Sequence, residues 1–431
     1  MDLAWGAPIG LGEKRIGRAM NTTDDAIVIR HPTENDWQAV YENQARTFGD
    51  PVDPRAVEAW KRRVELEDIL VAEDVSDPEH PTLVGTSIIY RARLTVPGGG
   101  SLRAAWLTMI AVASTHQGTG IWAQLSAQGL GKLLERGYPI VCGVPTQTAM
   151  YDGFGAGVAS YSHSYSVDRR FAKLRDAPNG NRAREVNAAE AKELLPEIYE
   201  RWCAITNGAM ERDSAWWADF LEDRPTQRGN GSALNYTIHP DGFLAYRVVG
   251  AGKHAFRPPL GSVLVEDFCP ITDEAHTELL QTLLVLEMFD NIEIDVPVDD
   301  PLRLKLRDQR TAQTTGMSDF LWVRINDVPE VLGAREYSAD TDLVLEVTDP
   351  LNLAGGRFQL QTRDGAGKCT PHEGPADVEI GLAELSTIYM GAHRASELAR
   401  ADRLTELRPG AIRDLDAAFS TERAPYCGTL F

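Results

Sequence analysis

Metal-ligand spacing, long apolar runs and an excess of positive charge are all missing from this sequence. Its five cysteines (Cys142, Cys203, Cys269, Cys369 and Cys427) are odd in number and far apart. No CxxC occurs and the nine histidines are scattered without an HExxH, so no metal site is expected. Reduced, mostly buried thiols of a cytoplasmic protein fit that usage. The longest apolar stretches, such as Leu283 to Leu286, are far too short to cross a bilayer, and no membrane partner is expected. The opening residues lack the apolar segment of a signal peptide. Residues 1–25 therefore read as a flexible N-terminal extension, with Met20 as an alternative start, because Ala26 to Arg30 looks like a first strand. A formal net charge of -20 argues against nucleic acid and mildly favours cationic ligands.

What is present is enough for several cores. A chain of 431 residues, 43% hydrophobic and 25% charged, suggests two or three domains. Residues 26–175 alternate strand and helix signals. Thr33 to Asp36 caps an amphipathic run carrying Trp37, Val40, Tyr41 and Phe48, which Gly49 stops. Two long strand candidates, Thr82 to Val96 and Leu102 to Ala113, flank a glycine-rich hairpin turn. A helix from Gly120 to Gly137 then leads to a strand at Ile140 to Val144. Residues 176–325 repeat that order: strands, hairpin, a helix from Asp273 to Phe289, so a degenerate second copy is expected, lacking the glycine loop. Residues 326–431 alternate as half-buried strands at Asp342 to Val347, Gly356 to Thr362 and Asp377 to Ile380. Helices follow, with Gly391 and Gly410 as stops, giving an α+β unit.

Leu107 to Trp122, LTMIAVASTHQGTGIW, carries the chemistry. Its strand, Met109-Ile110-Ala111-Val112, can pair an edge with the amide-bearing pantetheine arm of coenzyme A. A backbone N–H there can also polarise a thioester carbonyl. The loop Gln117-Gly118-Thr119-Gly120-Ile121-Trp122 opens a helix, so its N–H groups can hold a pyrophosphate. Gly118 to Ala123 also fits GxGxxA, a dinucleotide fingerprint. Two features count against that rival: no acidic residue ends the next strand, and the strand before the loop follows a hairpin. Beyond that next strand come Thr146 and then Tyr151, at the start of a glycine-rich turn. A tyrosine there can protonate a departing thiolate; the same spacing reads equally well as an aromatic plug.

These residues resemble the GNAT superfamily, whose cofactor motif Arg/Gln-x-x-Gly-x-Gly/Ala is matched by Gln117 to Gly120, with Trp122 in place of the small last residue. The fuller resemblance is to the Eis (enhanced intracellular survival) family of multi-acetylating enzymes. It runs through Tyr151 to Gly157, Val167 to Arg170, Val296 to Leu302, Leu321 to Arg324, Leu345 to Pro350, Glu406 to Ala411 and the terminal Phe431, covering nearly everything after the extension. The resemblance implies an α+β chain of two fused GNAT-like mixed-sheet domains followed by a sterol-carrier-protein-like domain. It further implies a hexamer that acetylates amines of aminoglycosides, lysines and polyamines with acetyl-CoA. Tyr151 would be the general acid and the Phe431 carboxylate the base. The chain departs from the family in three places: a nearly uncharged cofactor loop, which leaves phosphate binding to backbone groups, Trp122, which would narrow the entry, and apolar Leu430 where family tails place an acid. With no acid there, a smaller or less charged amine than an aminoglycoside is expected. A lipid-carrier module with a relic acetyltransferase site is the reading from another class.

Overall fold

The computed structural model describes residues 26–148, 151, 153–178, 180–250 and 260–430. The first unit is built from local signals. The Thr33 N–H and hydroxyl both donate to the Asp36 carboxylate, at 2.7 and 2.9 Å, and the Asp36 N–H donates back to the Thr33 carbonyl at 3.0 Å. The helix Trp37–Phe48 follows and ends at left-handed Gly49. Strands β1 (Ile27–Arg30), β2 (Ile69–Asp74), β3 (Thr82–Thr95) and β4 (Ser101–Val112) form an antiparallel meander. The helix Ile121–Glu135 then crosses over to β5 (Ile140–Gly143), which pairs parallel to β4, as a parallel connection requires.

The next strands are β6 (Gly157–Val158), β7 (Tyr161–Asp168), β8 (Arg184–Val186), β9 (Asn235–His239), β10 (Gly242–Gly250), β11 (Gly261–Pro270), β12 (Asn291–Val296), β13 (Ala312–Asp319) and β14 (Trp322–Ile325). They do not sort into sheets in chain order. The first sheet runs β1-β2-β3-β4-β5-β14-β6 and the second β8-β9-β10-β11-β12-β7-β13. The two orders are the same, with one strand traded: β7 from the first half of the chain sits between β12 and β13, and β14 from the second half sits between β5 and β6. β11 and β12 pair parallel over Ser262–Leu264 and Asn291–Glu293, as β4 and β5 do in the first sheet. The second unit's crossover helix is Asp273–Leu284, shorter than the expected run to Phe289. Beyond its end, Val285 and Met288 face solvent.

The third unit is a five-stranded sheet in the order β17-β16-β15-β18-β19, made of β15 (Thr341–Thr348), β16 (Gly356–Arg363), β17 (Ala366–Pro371), β18 (Val378–Gly381) and β19 (Leu404–Glu406). β17 and β19 escape a sequence reading because neither carries a clean apolar alternation. Gly410 does not stop a helix. It is the left-handed residue that opens Ala411–Phe419, whereas Gly391, with φ 87°, does follow one.

The helix Leu382–Tyr389 is buried along its whole length because it has sheet on two sides, its own and the β6–β14 edge of the first. Gly157 makes that approach feasible: a Cβ there would overlap the Ala383 carbonyl oxygen. Gly157→Ala is therefore expected to lower stability by about 1–3 kcal/mol through overpacking, read from urea unfolding. One apolar core runs through all three units, from Ile88 and Trp106 to Phe243, Val323, Leu345 and Tyr389.

Candidate active site

The site begins with a defect in β4. Opposite Thr86 to Ile88 of β3, β4 advances from Ala111 to Thr108, so Met109 and Ile110 face the single residue Ser87. This is a β-bulge, and it puts Met109 at φ 52°. The helix Trp37–Phe48 holds the bulge from behind. The Gln44 amide donates to the Met109 carbonyl and to the Thr86 hydroxyl, and Asn43 donates to the same hydroxyl at 3.3 Å. Asn43 and Gln44 are buried polar residues on an otherwise apolar face. Gln44 lies four residues past Val40 on that face, which is the signal that could have marked it.

The bulge coincides with the end of pairing between β4 and β5. Their register stops at Leu107 opposite Gly143, the last residue of β5, while β4 continues to Val112 against β3. Met109, Ile110, Ala111 and Val112 all lie on this stretch, past the end of β5, where β5 no longer covers the edge of β4; the opening there is a cleft. At its β4 end, Gly118 and Gly120 take φ 80° and 91° and turn the chain into the Ile121–Glu135 helix. Left-handed backbone suits glycine, and a Cβ on Gly118 would meet nothing, so conformation and not space selects it. The loop is tied by Thr119, which donates to the His116 carbonyl at 2.6 Å, and by His116, 3.2 Å from Asp74. The Gln117 amide reaches back to the Val112 carbonyl at 3.5 Å. The first-turn N–H groups of a helix have no intrahelical acceptor and favour an anion. Ile121 points the other way and is buried.

Tyr151 stands at the β5 end of the cleft. A Cβ on Gly143 would lie 3.4 Å from the Leu107 carbonyl oxygen and 3.5 Å from the Tyr151 ring, which locates the ring at the opening. Trp122 meets it edge-on with centroids 5.8 Å apart, and Trp322 of β14 at 6.2 Å from another side. Phe154 packs on Trp122 at 5.4 Å. Together with Leu130, Leu133 and Cys142 these residues bound an apolar cavity of about 40 Å³. Burial in it pushes the Tyr151 hydroxyl up to about 12. Thr146 lies exposed on the bend after β5.

Phe431 is outside the described residues, but the chain leading to it is not. Residues 425–429 run into the junction of the first two units. Arg212, nearly inaccessible, pairs with Asp267 of β11 at 2.7 and 2.9 Å and stacks on Tyr199 and Trp216. It also donates to the Thr429 hydroxyl at 2.9 Å. The Tyr426 N–H donates to the Asn207 carbonyl at 2.7 Å, and its hydroxyl to the Asp295 carbonyl at 3.1 Å. Nothing in the local sequence marks Arg212 as the residue that meets both Asp267 and the tail.

Comparison with known proteins agrees with this geometry. Residues 28–159 match one acetyltransferase (GNAT) domain family, residues 208–325 a second, and residues 328–428 the sterol carrier protein domain family. The chain is 34% identical over 404 residues to the N-acetyltransferase Eis of Mycobacterium tuberculosis, covering 92% of this chain and 97% of that one. An N-acetyltransferase of Streptomyces griseus is 31% identical over 362 residues, covering 81% and 86%. The crystal structure of Eis1 from Mycobacterium abscessus superposes with a TM-score of 0.81 at 30% identity, over 94% of this chain and 100% of that one. A GCN5-related N-acetyltransferase from Anabaena variabilis shares the fold, with a TM-score of 0.79 at 18% identity and coverage of 94% and 100%. Two GNAT units with their strands exchanged and a sterol-carrier-like third unit, matched over 92% of the chain at this identity, place the chain in the Eis family of N-acetyltransferases.

Proposed function

We propose that the enzyme transfers the acetyl group of acetyl-CoA directly to a primary amine of a small molecule, of the aminoglycoside, polyamine or lysine type, within a ternary complex. The observation that carries this is the cleft opening past Leu107 and Gly143, with the glycine loop at one end and Tyr151 at the other. Coenzyme A supplies a thioester whose leaving group is a thiolate. The free edge of β4, Met109 to Val112, holds the pantetheine arm as an added strand and offers an N–H to the thioester oxygen. Gln117 to Trp122 hold the pyrophosphate through backbone groups at the helix N-terminus, and Thr146 contacts the donor from the bend after β5. Tyr151 gives its proton to the thiolate, while the Phe431 carboxylate takes one from the ammonium.

The third unit serves as scaffold. Its strands β15 and β16 fill the common core with Leu343, Leu345, Phe358 and Leu360. The proposal extends to a cytoplasmic hexamer acting without a metal. No helix of the described residues is long and apolar enough to cross a membrane.

Gly120→Asp tests the donor site. Gly120 occupies a left-handed position beside the helix N-terminus, so the substitution adds both backbone strain and a negative charge where the pyrophosphate would sit. Acetyl-CoA binding by calorimetry is expected to be micromolar in the parent and lost in the variant, and NAD(P) is expected to bind neither. Tight NAD binding would replace the coenzyme A reading with the dinucleotide one.

A further inference from the structure

Among the described residues, the turn that carries Tyr151 is tied within itself by two backbone bonds. The Phe154 and Ala156 N–H groups both donate to the Tyr151 carbonyl, at 3.0 and 3.3 Å, and Gly155 takes φ 69°. Its fixed point lies elsewhere in the chain. The Phe154 carbonyl accepts a hydrogen bond from Arg324 of β14, which also borders the cavity around Tyr151. Arg324 in turn makes a two-pronged pair with Asp349, at 3.0 and 2.8 Å, with side chains 3% and 0% exposed.

Asp349 belongs to the third unit, directly after β15. It is itself pinned by the N–H groups of Leu351, Leu353 and Ala354 at 3.1, 2.9 and 2.9 Å. Burial works against its charge, but the Arg324 guanidinium and the backbone N–H groups of Ala354 and Leu351 outweigh that and hold the carboxyl at about 2. The fit leaves no slack: a Cβ on Gly155 would fall on the Arg324 guanidinium and 3.3 Å from both Asp349 and Leu382.

We infer that Arg324 and Asp349 are positioning residues for the general acid, so that the sterol-carrier-like unit sets the Tyr151 turn through a buried ion pair. This rests on Tyr151 being the acid. A chain of contacts runs from the Asp349 loop through both side chains to the Phe154 carbonyl, and Phe154 is tied to Tyr151 by its N–H, which donates to the Tyr151 carbonyl at 3.0 Å. The bonds of Arg324 and Asp349 run to the Tyr151 turn and the third unit and not to Gln117–Gly120 or Met109–Val112, so the pair acts on the acid and not on the donor. Misplacement of a reacting group by about 1 Å can cost on the order of 10²-fold in rate.

Asp349→Asn keeps the shape and removes the charge, leaving Arg324 buried without its partner. Its kcat is expected to fall roughly 10–100-fold, with the acetyl-CoA dissociation constant unchanged. A double-mutant cycle supplies the readout that mere structural damage would not move. In a Tyr151→Phe background, Asp349→Asn should cost little further kcat, because the group it positions is already gone. An equal loss in both backgrounds would overturn the inference, and so would a wild-type kcat.

If Asp349→Asn does not fold, shown by loss of both cooperative unfolding and acetyl-CoA binding, Arg324→Lys takes its place in the same cycle. Lysine keeps the charge but cannot span the Phe154 carbonyl and both Asp349 oxygens. Loss of kcat confined to the Tyr151-containing enzyme supports the pair, and retained kcat contradicts it. A Tyr151→Phe enzyme as fast as the parent is a different result: it removes the acid assignment itself, and the positioning role with it.

Discussion

Tyr151→Phe is expected to lower kcat about 100-fold or more while leaving the acetyl-CoA dissociation constant where it was. The substitution deletes one hydroxyl and keeps the ring that Trp122 and Trp322 pack against at 5.8 and 6.2 Å, so the cavity and the cleft should survive it. What disappears is the proton for the departing thiolate, an interaction that matters only as the carbon–sulfur bond breaks. The same burial that makes the site apolar pushes the Tyr151 hydroxyl up to about 12. A raised phenol pKa means the neutral, donating form persists until the pH nears that value. Any fall in kcat on the alkaline side below about pH 11 therefore comes from another group, and it should keep its midpoint in the Tyr151→Phe enzyme. Steady-state kinetics across pH, with calorimetry for donor affinity, checks both statements. An unchanged kcat would take Tyr151 out of the mechanism.

The second large effect concerns the tail. Adding one residue after Phe431 is expected to reduce turnover by at least about 10²-fold, with the fold and assembly intact. The added residue moves the terminal charge by about 3.5 Å and turns the Phe431 carboxylate into a neutral amide. Sliding of the tail cannot absorb the extra length. Thr429 is bonded to Arg212 and lies 3.1 Å from the Tyr199 hydroxyl, Cys427 is buried, and the Tyr426 backbone is bonded to Asn207. Deleting Phe431 should be equally damaging, because Leu430 would then carry the charge one residue too far back. A tag ahead of Ala26 should be harmless. Circular dichroism and light scattering confirm that the variants are folded and assembled. Full activity in a C-terminally extended enzyme would make the tail purely structural.

Elements set by neighbouring residues were legible in the sequence. The Thr33–Asp36 cap, the Gly49 stop, the hairpin between β3 and β4 and the helix after Gly120 all follow from residues within a few positions of one another. The traded strands β7 and β14 were not, because alternation says which face of a strand is buried and nothing about which sheet receives it. The bulge at Met109 and Ile110 depends on a register set by β3 and on an amide from Gln44, both distant in sequence. Of the candidate site, the glycine loop and Tyr151 could be picked out, since each chemistry needs a recognisable residue in a recognisable turn. Arg212 and Arg324 could not. A buried arginine looks like a surface one until the fold brings its carboxylate, Asp267 or Asp349, from another part of the chain. Thr146, next to the right strand in sequence, lies exposed on the bend after β5.

The most direct measurement of the central claim is release of free coenzyme A thiol from acetyl-CoA by the full-length protein, followed across a panel of polyamines, lysine-type amines and aminoglycosides. Each product is weighed by mass spectrometry in the same experiment. The account predicts thiol release that depends on an amine, matched one for one by an amine heavier by an acetyl group, and lost when Gly120 becomes Asp. Thiol release that proceeds equally well without any amine, or none with the whole panel despite bound acetyl-CoA, would contradict it.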